Sequence, residues 1–470
     1  MEISRNKYLI KNTLLFTLGN LGSKLIVFFL IPLYTNTLST AQYGTIDLVS
    51  TVSTVAVPIF TINICESVMR FALDKNADKE QITQIGTYIL LLGCLLGLVI
   101  LPICSIFNQI SHYKVLTYFY TVSLAASQLY LCDLRGKELL LQYSIGNILH
   151  TLLIAIFNIT FLLFLNLGIE GYLLAFILSN IIVAAYALIV GKGYKSFRLK
   201  RISKTLLFNM TKYSVVLIPN SFMWWIMNSS DRIMVSSMVS IAANGIYAVS
   251  YKLPTLVSTL TSIFNQAWSY SAIKEEGAQD EEEYNNRIFK FLIGIVLLIG
   301  IGLMTFVKPF LKVYVSPDFY SAWKYTPFLI IGCVYLTLGT FMATSYTVHK
   351  DSFGYLFSGM FGGVFNIILN LILIPLIGVN GAAIATCISY ILVFLFRLLH
   401  TRKYIKYRIN NIEFIAGSII LFISSAVIYI NNYIGLGIQV ILFLGAIFLL
   451  RDTWMPMMKR IIHLKKNSAH

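Results

Sequence analysis

The sequence predicts an all-α, polytopic membrane protein with about fourteen transmembrane helices, and three observations predict it. Hydrophobic residues make up 57% of the 470 and charged residues only 12%, with a mean hydropathy of +0.76. A water-facing surface needs roughly twice that share of charge. The apolar residues run in blocks such as Tyr88 to Phe107 and Phe289 to Val307. Each block approaches the roughly twenty residues that carry a helix across about 30 Å of hydrocarbon. The alternating patterns of a transmembrane barrel are missing.

Apolar blocks between polar breaks place helices near 12–34, 43–65, 83–107, 114–132, 145–166, 169–190, 207–230, 243–266, 289–307, 325–347, 354–376, 379–399, 412–431 and 434–450. Arg5, Lys7 and Lys11 precede an apolar stretch that runs past Lys24 to about Leu33 without a small-residue cleavage site, so a retained first helix is expected rather than a signal peptide. With the N-terminus inside, the even-numbered turns collect the basic residues: Arg70, Lys75 and Lys79; Arg135 and Lys137; the run from Lys192 to Lys204; and Arg397 to Arg408. The opposite loops hold little beyond Lys114, Lys308, Lys312 and Lys324, the longest of them being about Lys308 to Lys324. The positive-inside rule then puts both termini in the cytoplasm. Glu275 to Glu283 reads as a solvated cytoplasmic loop.

This distribution gives the net charge of +16 a topological meaning. A nucleic-acid partner would need a basic face on a soluble surface, and almost no such surface exists. The Lys192 to Lys204 run reads as a solvated linker, with attraction to anionic headgroups as the alternative. The six cysteines lie within or beside apolar blocks without ligand spacing and read as small buried hydrophobes.

Two echoes lie about two hundred residues apart. Gly168, Gly171, Ala175 and Ser179 share the pattern G-[IV]-x-G-x3-A-x3-S with Gly378, Gly381, Ala385 and Ser389. Ala41 to Ile46 resembles Ala242 to Tyr247. They imply two six-helix bundles of one orientation, 1–191 and 207–408, joined by a basic linker 192–206 and followed by two helices at 409–451 and a basic tail at 452–470. Such halves suit alternating access through a central site.

No catalytic signature is present, so an enzyme is not expected: the six histidines are scattered, and Gly19 to Lys24 lacks the full phosphate-loop pattern. The informative residues are charges inside the bilayer, each costing at least roughly 2.5–3.5 kcal/mol unless paired or hydrated. Lys24 falls within the first helix, Arg70 and Glu66 at the inner end of the second, and Asp47 near its outer end. Asp231 and Arg232 end the seventh, and Lys252 lies within the eighth, beside Pro254. The functional reading is a cationic, hydrated cavity that receives a phosphate group on Lys24, Arg70, Arg232 and Lys252. The alternatives are snorkelling, a Lys252–Asp231 pair, and pairing of Arg232 with Asp231 or Asp47. Asp47, Glu66 and Asp231 are candidates for charge pairing or for binding a proton or sodium ion. Pro32, Pro58, Pro219 and Pro254 are expected to bend or interrupt these helices.

Asn12-Thr-Leu, Gly19-Asn, Ser23-Lys24, Ile31-Pro32-Leu33-Tyr34-Thr35, Leu38-Ser39, Tyr43-Gly44-Thr-Ile-Asp47-Leu and Val68-Met-Arg70-Phe71 together resemble the opening of the bacterial Wzx-type oligosaccharide-lipid flippases, in the polysaccharide transporter branch of the MATE-like MOP exporter superfamily. Asp231-Arg232, Ala242 to Tyr247 and Tyr251-Lys252 resemble the same family's seventh and eighth helices. The resemblance implies a plasma-membrane protein that moves undecaprenyl-diphosphate-linked oligosaccharide from the inner to the outer leaflet for capsule, O-antigen or a related polymer. It implies no cofactor, coupling to a proton or sodium gradient as an option, and membrane lipids and the polysaccharide polymerase machinery as neighbours. Lys24, Arg70, Arg232 and Lys252 match the family's diphosphate-holding positions. A lipid II flippase and a MATE-type multidrug antiporter are the alternatives, the latter favouring an acidic cavity.

Overall fold

The structure is a computed structural model and describes residues 26, 28–74, 77–100, 110–197, 202–274, 276–409, 412–430, 433–453 and 455. It is all-helical, with no strand among those residues. Chain order gives α1 (Ile31–Thr37), α2 (Thr40–Phe60), α3 (Ile64–Ala72), α4 (Lys79–Ile100), α5 (Lys114–Gly136), α6 (Leu140–Asn158), α7 (Gly168–Val190) and α8 (Lys204–Met238). Then come α9 (Ile241–Ser250), α10 (Lys252–Lys274), α11 (Glu281–Tyr314), α12 (Thr326–Val348), α13 (Ser352–Ile377), α14 (Val379–His400), α15 (Ile412–Val427) and α16 (Tyr433–Leu449). Among the described residues ten helices are long and apolar enough to cross a membrane, which makes this a multi-pass membrane protein. The long helices α8 and α10 are not among the ten. A spanning helix short of apolar residues must keep part of its circumference away from lipid.

Two compact units divide the chain: Met1–Trp225 with Ser240–Gly245, and Ile226–Val239 with Ile246–His470. The first buries Val57, Ile64, Val68, Ile82, Ile85 and Leu129. The second is built on α12, whose Phe341 stacks on Trp268 with centroids 4.7 Å apart and on Phe289 at 5.3 Å.

Local chemistry explains the helix ends. Ser39 caps α2 through a capping box with Gln42, satisfying two of the amides a helix start leaves open. The motif with glycines at 168 and 378 takes the same form in both places. Gly168 and Gly378 adopt left-handed φ values of +55° and +61°, which only glycine enters cheaply. Gly171 and Gly381 let the preceding turn come close: a Cβ on Gly171 would lie 2.8 Å from Leu167 Cβ, and one on Gly381 would collide with the Leu373 carbonyl. Ala175, Ala385, Ser179 and Ser389 are all fully buried, and each serine donates to the alanine carbonyl one turn back at 2.7 Å. Within the first unit, Gly44 on α2 packs backbone to backbone against Ile241 and Gly245, which joins the two glycines of the other echo.

Several sequence expectations are corrected. The helix expected over 43–65 stops at Phe60, and Glu66 and Arg70 stand on the separate α3. Pro58 has no N–H to continue the ladder, and Ile62 and Asn63 turn left-handed at φ 51° and 54°. Glu281 to Glu283 are not in a loop but form the first turn of α11, where three carboxylates meet the positive end of the helix dipole. Lys308 and Lys312 are not in a loop either, since α11 runs on to Tyr314 with Val307 and Leu311 buried. Spaced four apart, both lysines share one face and leave the opposite face apolar. Arg397 and Lys137, counted with the cytoplasmic charges, are held inside the protein. Arg397 is 1% exposed and donates to Ser358 Oγ at 3.0 Å and to the Gly339 carbonyl at 3.1 Å. Lys137 pairs at 2.6 Å with Asp133, itself 1% exposed, and also donates to the Gly191 carbonyl.

Candidate functional site

The densest buried polar group in the second unit surrounds Asp231, which α8 carries into the protein at 1% exposure. Its Oδ2 accepts from three hydroxyls: Tyr247 on α9 at 2.7 Å, Tyr251 at 2.6 Å and Thr386 on α14 at 3.2 Å. Its Oδ1 accepts the Arg232 amide at 2.9 Å. Behind Thr386, Asn366 on α13 donates to the threonine hydroxyl at 3.3 Å, and Asn370 donates to Asn366 Oδ1 at 2.9 Å. The remaining oxygen of Asn370 is buried with no hydrogen-bond partner. One carboxylate, three hydroxyls and two side-chain amides therefore gather among four helices. Oxygen ligands of these types are the ones that small hard cations prefer, and buried carboxylates on membrane helices are common carriers of coupling ions. Among the described residues no cluster of three His, Cys, Asp or Glu side chains forms a transition-metal site.

Lys252 does not lie inside an unbroken helix as expected. The helix ends at Ser250 and restarts at Lys252, because Pro254 has no N–H to give the Ser250 carbonyl, which accepts from Thr326 Oγ1 at 3.3 Å instead. Lys252 is half-buried at this restart and makes no ion pair among the described residues. The alternative of a Lys252–Asp231 pair is replaced by hydroxyl ligation of the carboxylate. The Arg232 guanidinium lies 5.1 Å from the centroid of the Tyr251 ring, a cation–π contact with a phenol that itself serves Asp231. Asp231 and Arg232 are thus brought together by Tyr251, a residue that sequence reasoning passes over except as part of a motif, while Lys252 is joined to them only as the next residue in the chain.

In the first unit the break between α2 and α3 borders a cavity of about 390 Å³ lined by Thr54, Asn63, Glu66, Gln128, Asn147 and Ser221 among others. The break is tied to α8 by Asn63 Nδ2 on Ser221 Oγ at 3.3 Å, Ser67 Oγ on the Met210 carbonyl at 3.0 Å and Trp225 Nε1 on the Thr51 carbonyl at 3.0 Å. Glu66 is exposed at its edge. Arg70 is exposed one turn on and pairs with Asp74 at 2.7 Å. Asp47 is buried on α2, with Asn244 Nδ2 at 3.4 Å. Lys24 lies outside the described residues.

Comparison with solved structures places this architecture. The lipid II flippase MurJ in an inward closed conformation superposes with a TM-score of 0.68 at 14% identity, covering 96% of this chain and 100% of that one. An inward-facing multidrug resistance MATE family transporter of the MOP superfamily gives 0.62 at 14% identity, over 82% and 94%. A point mutant of the MATE transporter VcmN of Vibrio cholerae gives 0.54 at 14% identity, over 84% and 96%. The fold is therefore that of the MATE-like and MurJ-like membrane transporters. Within that class the chain belongs to the polysaccharide biosynthesis protein family, whose model matches residues 9–270. Among curated proteins it is 23% identical to the Lsg locus putative protein 1 of Haemophilus influenzae over 304 residues, 60% of this chain and 71% of that protein.

Proposed function

We propose that the protein flips undecaprenyl-diphosphate-linked oligosaccharide repeat units from the inner to the outer leaflet of the bacterial plasma membrane, by alternating access, for capsule, O-antigen or a related surface polysaccharide. The observation that carries this reading is membership of the polysaccharide biosynthesis family on a transporter fold. The polar make-up of α8 and α10, the helices bearing Asp231, Arg232 and Lys252, supports it, since a diphosphate head crosses hydrocarbon only where fixed cations replace lost hydration. Lys24, Arg232 and Lys252 hold the diphosphate, and Arg70 meets it at the cytoplasmic end, exchanging Asp74 for phosphate. Asp231 takes up the coupling proton or sodium ion. Both termini are cytoplasmic, and the polymerase machinery receives the product.

The test is deletion of the gene with the lipid-linked glycan followed by leaflet. Accumulation on the cytoplasmic side supports flipping, and normal export refutes it. Lys24→Ala is expected to abolish export with the protein still in the membrane, and Lys24→Arg to keep part of it. Full activity of Lys24→Ala removes that residue from the diphosphate site. The overlap with MurJ supports a second reading, a peptidoglycan-precursor flippase. Rescue of a lipid II flipping defect would select it. The MATE likeness supports a multidrug antiporter, but cationic drugs favour an acidic lining, whereas Arg232 and Lys252 make this one lean basic.

A further inference from the structure

A second cavity lies away from Asp231, at the end of the second unit that carries the 3-10 segment Pro317–Lys324. It holds about 760 Å³ between α11, that segment, and the facing ends of α15 and α16. Three features set its chemistry. Lys308 and Lys312, one turn apart on α11, both line it. Trp323 and Tyr320 form an aromatic wall, with Lys308 Nζ 4.0 Å from the centre of the Trp323 ring. The wall is pinned from behind: Trp323 packs on Tyr429 at 5.5 Å, and Tyr429 donates its hydroxyl to the Lys324 carbonyl at 2.6 Å.

Depth matters as much as composition. Met304 and Gln439 lie two turns farther from the helix ends than Lys312 and Tyr433, so the cavity is cationic and aromatic at its rim and mostly apolar below. Gln439 anchors its amide nitrogen on the Ser424 carbonyl at 2.6 Å and leaves its buried Oε1 without a hydrogen-bond donor. Phe306, Val313, Leu436 and Tyr433 around it are exposed, as side chains facing acyl chains would be. An amphipathic molecule with a phosphate near the lysines, hydroxyls for the glutamine oxygen and the aromatics, and a hydrocarbon tail along the apolar wall matches each feature.

We infer that this cavity binds the headgroup of an anionic glycerophospholipid, as a lipid site separate from the transport site. On the topology proposed above, the opposite face carries most of the basic residues. Here, on the face where that topology leaves few lysines, two of them share one hollow with Trp323.

The test uses the full chain in nanodiscs of phosphatidylcholine containing a minority of phosphatidylglycerol, with lipids retained on extraction counted by native mass spectrometry. Phosphatidylglycerol is expected to be enriched on the protein. Lys308→Gln and Lys312→Gln are each expected to cut that enrichment about fivefold and together more than tenfold, while Lys308→Arg/Lys312→Arg keeps it. Unchanged retention in the doubly neutralised protein overturns the inference. Displacement by soluble sn-glycerol 3-phosphate assigns a soluble phosphate ligand and also overturns the lipid assignment. On the unsubstituted protein, phosphatidylglycerol with a photoactivatable headgroup is expected to label peptides within 304–324 and 427–439. Labelling elsewhere only counts against the site, whatever the variants' stability.

Discussion

Replacing Asp231 by alanine removes the acceptor on which three helices converge. Tyr247, Tyr251 and Thr386 each lose a bond of 2.6–3.2 Å to one carboxylate oxygen, and the Arg232 amide loses another on the second oxygen. Side-chain hydrogen bonds inside membrane proteins contribute on average about 0.6 kcal/mol and at most about 1.7 kcal/mol each. Loss of the three hydroxyl bonds then costs about 2–5 kcal/mol. The two tyrosine oxygens lie 3.4 Å apart and can partly satisfy one another, which favours the lower half of that range. Asp231→Asn keeps one carbonyl acceptor for the hydroxyls and is expected to cost about 1–2 kcal/mol. The assay is thermal unfolding of the purified protein in detergent, with export measured in parallel. Asp231→Ala should melt well below Asp231→Asn, and Asp231→Asn below the parent, with export lost in both. An Asp231→Ala protein as stable as the parent would refute the hydroxyl-ligation account. A stable Asp231→Asn protein with full export would refute the coupling role alone.

Further predictions rest on other sites. Lys137→Ala strands the buried Asp133 carboxylate and is expected to cost about 3–5 kcal/mol, much of it recovered by adding Asp133→Asn, as a double-mutant cycle in thermal unfolding would read. Gly381→Ala drives a Cβ into the Leu373 carbonyl and is expected to destabilise by at least about 1–3 kcal/mol, more than Gly359→Ala, where a Cβ meets open space. Asp351 caps α13 through the Gly354 amide and also accepts from Lys403 and Tyr404, contacts that hold its carboxyl down at about 2. Its stabilising contribution is full above the ordinary aspartate range near pH 4 and is lost as pH falls towards 2. Asp351→Ala should cost about 0.5–2 kcal/mol at neutral pH and flatten that part of the acid-unfolding curve.

Much of the architecture is legible in the chain because the bilayer acts as a filter on composition. The motif shared by the two stretches is legible for a sharper reason: at 168, 171, 378 and 381 backbone geometry or close approach leaves glycine as the residue that fits, so geometry is written directly into identity. The candidate charges Asp231, Arg232 and Lys252 are visible as polar residues in an apolar setting. Their partners are not, since a tyrosine that ligates a carboxylate looks in sequence like any tyrosine of an apolar helix. Arg397 is misplaced by sequence reasoning because its acceptors, Ser358 and the Gly339 carbonyl, come from two other helices, and its position near a helix end matches that of a topogenic charge. The division of the second helix at residues 61–63 leaves only Pro58 as a sign, and a proline is tolerated in many membrane helices without a break.

That elbow is built from isoleucine and asparagine where glycine would sit at no steric cost, and the choice has a mechanical consequence. Asparagine enters the left-handed region readily, but a β-branched isoleucine does so only at a steric cost, so the strain of the joint between α2 and α3 is concentrated at Ile62. Glycine at position 62 would relieve that strain and at the same time widen the range of angles open to the joint, so the isoleucine trades local energy for a fixed bend.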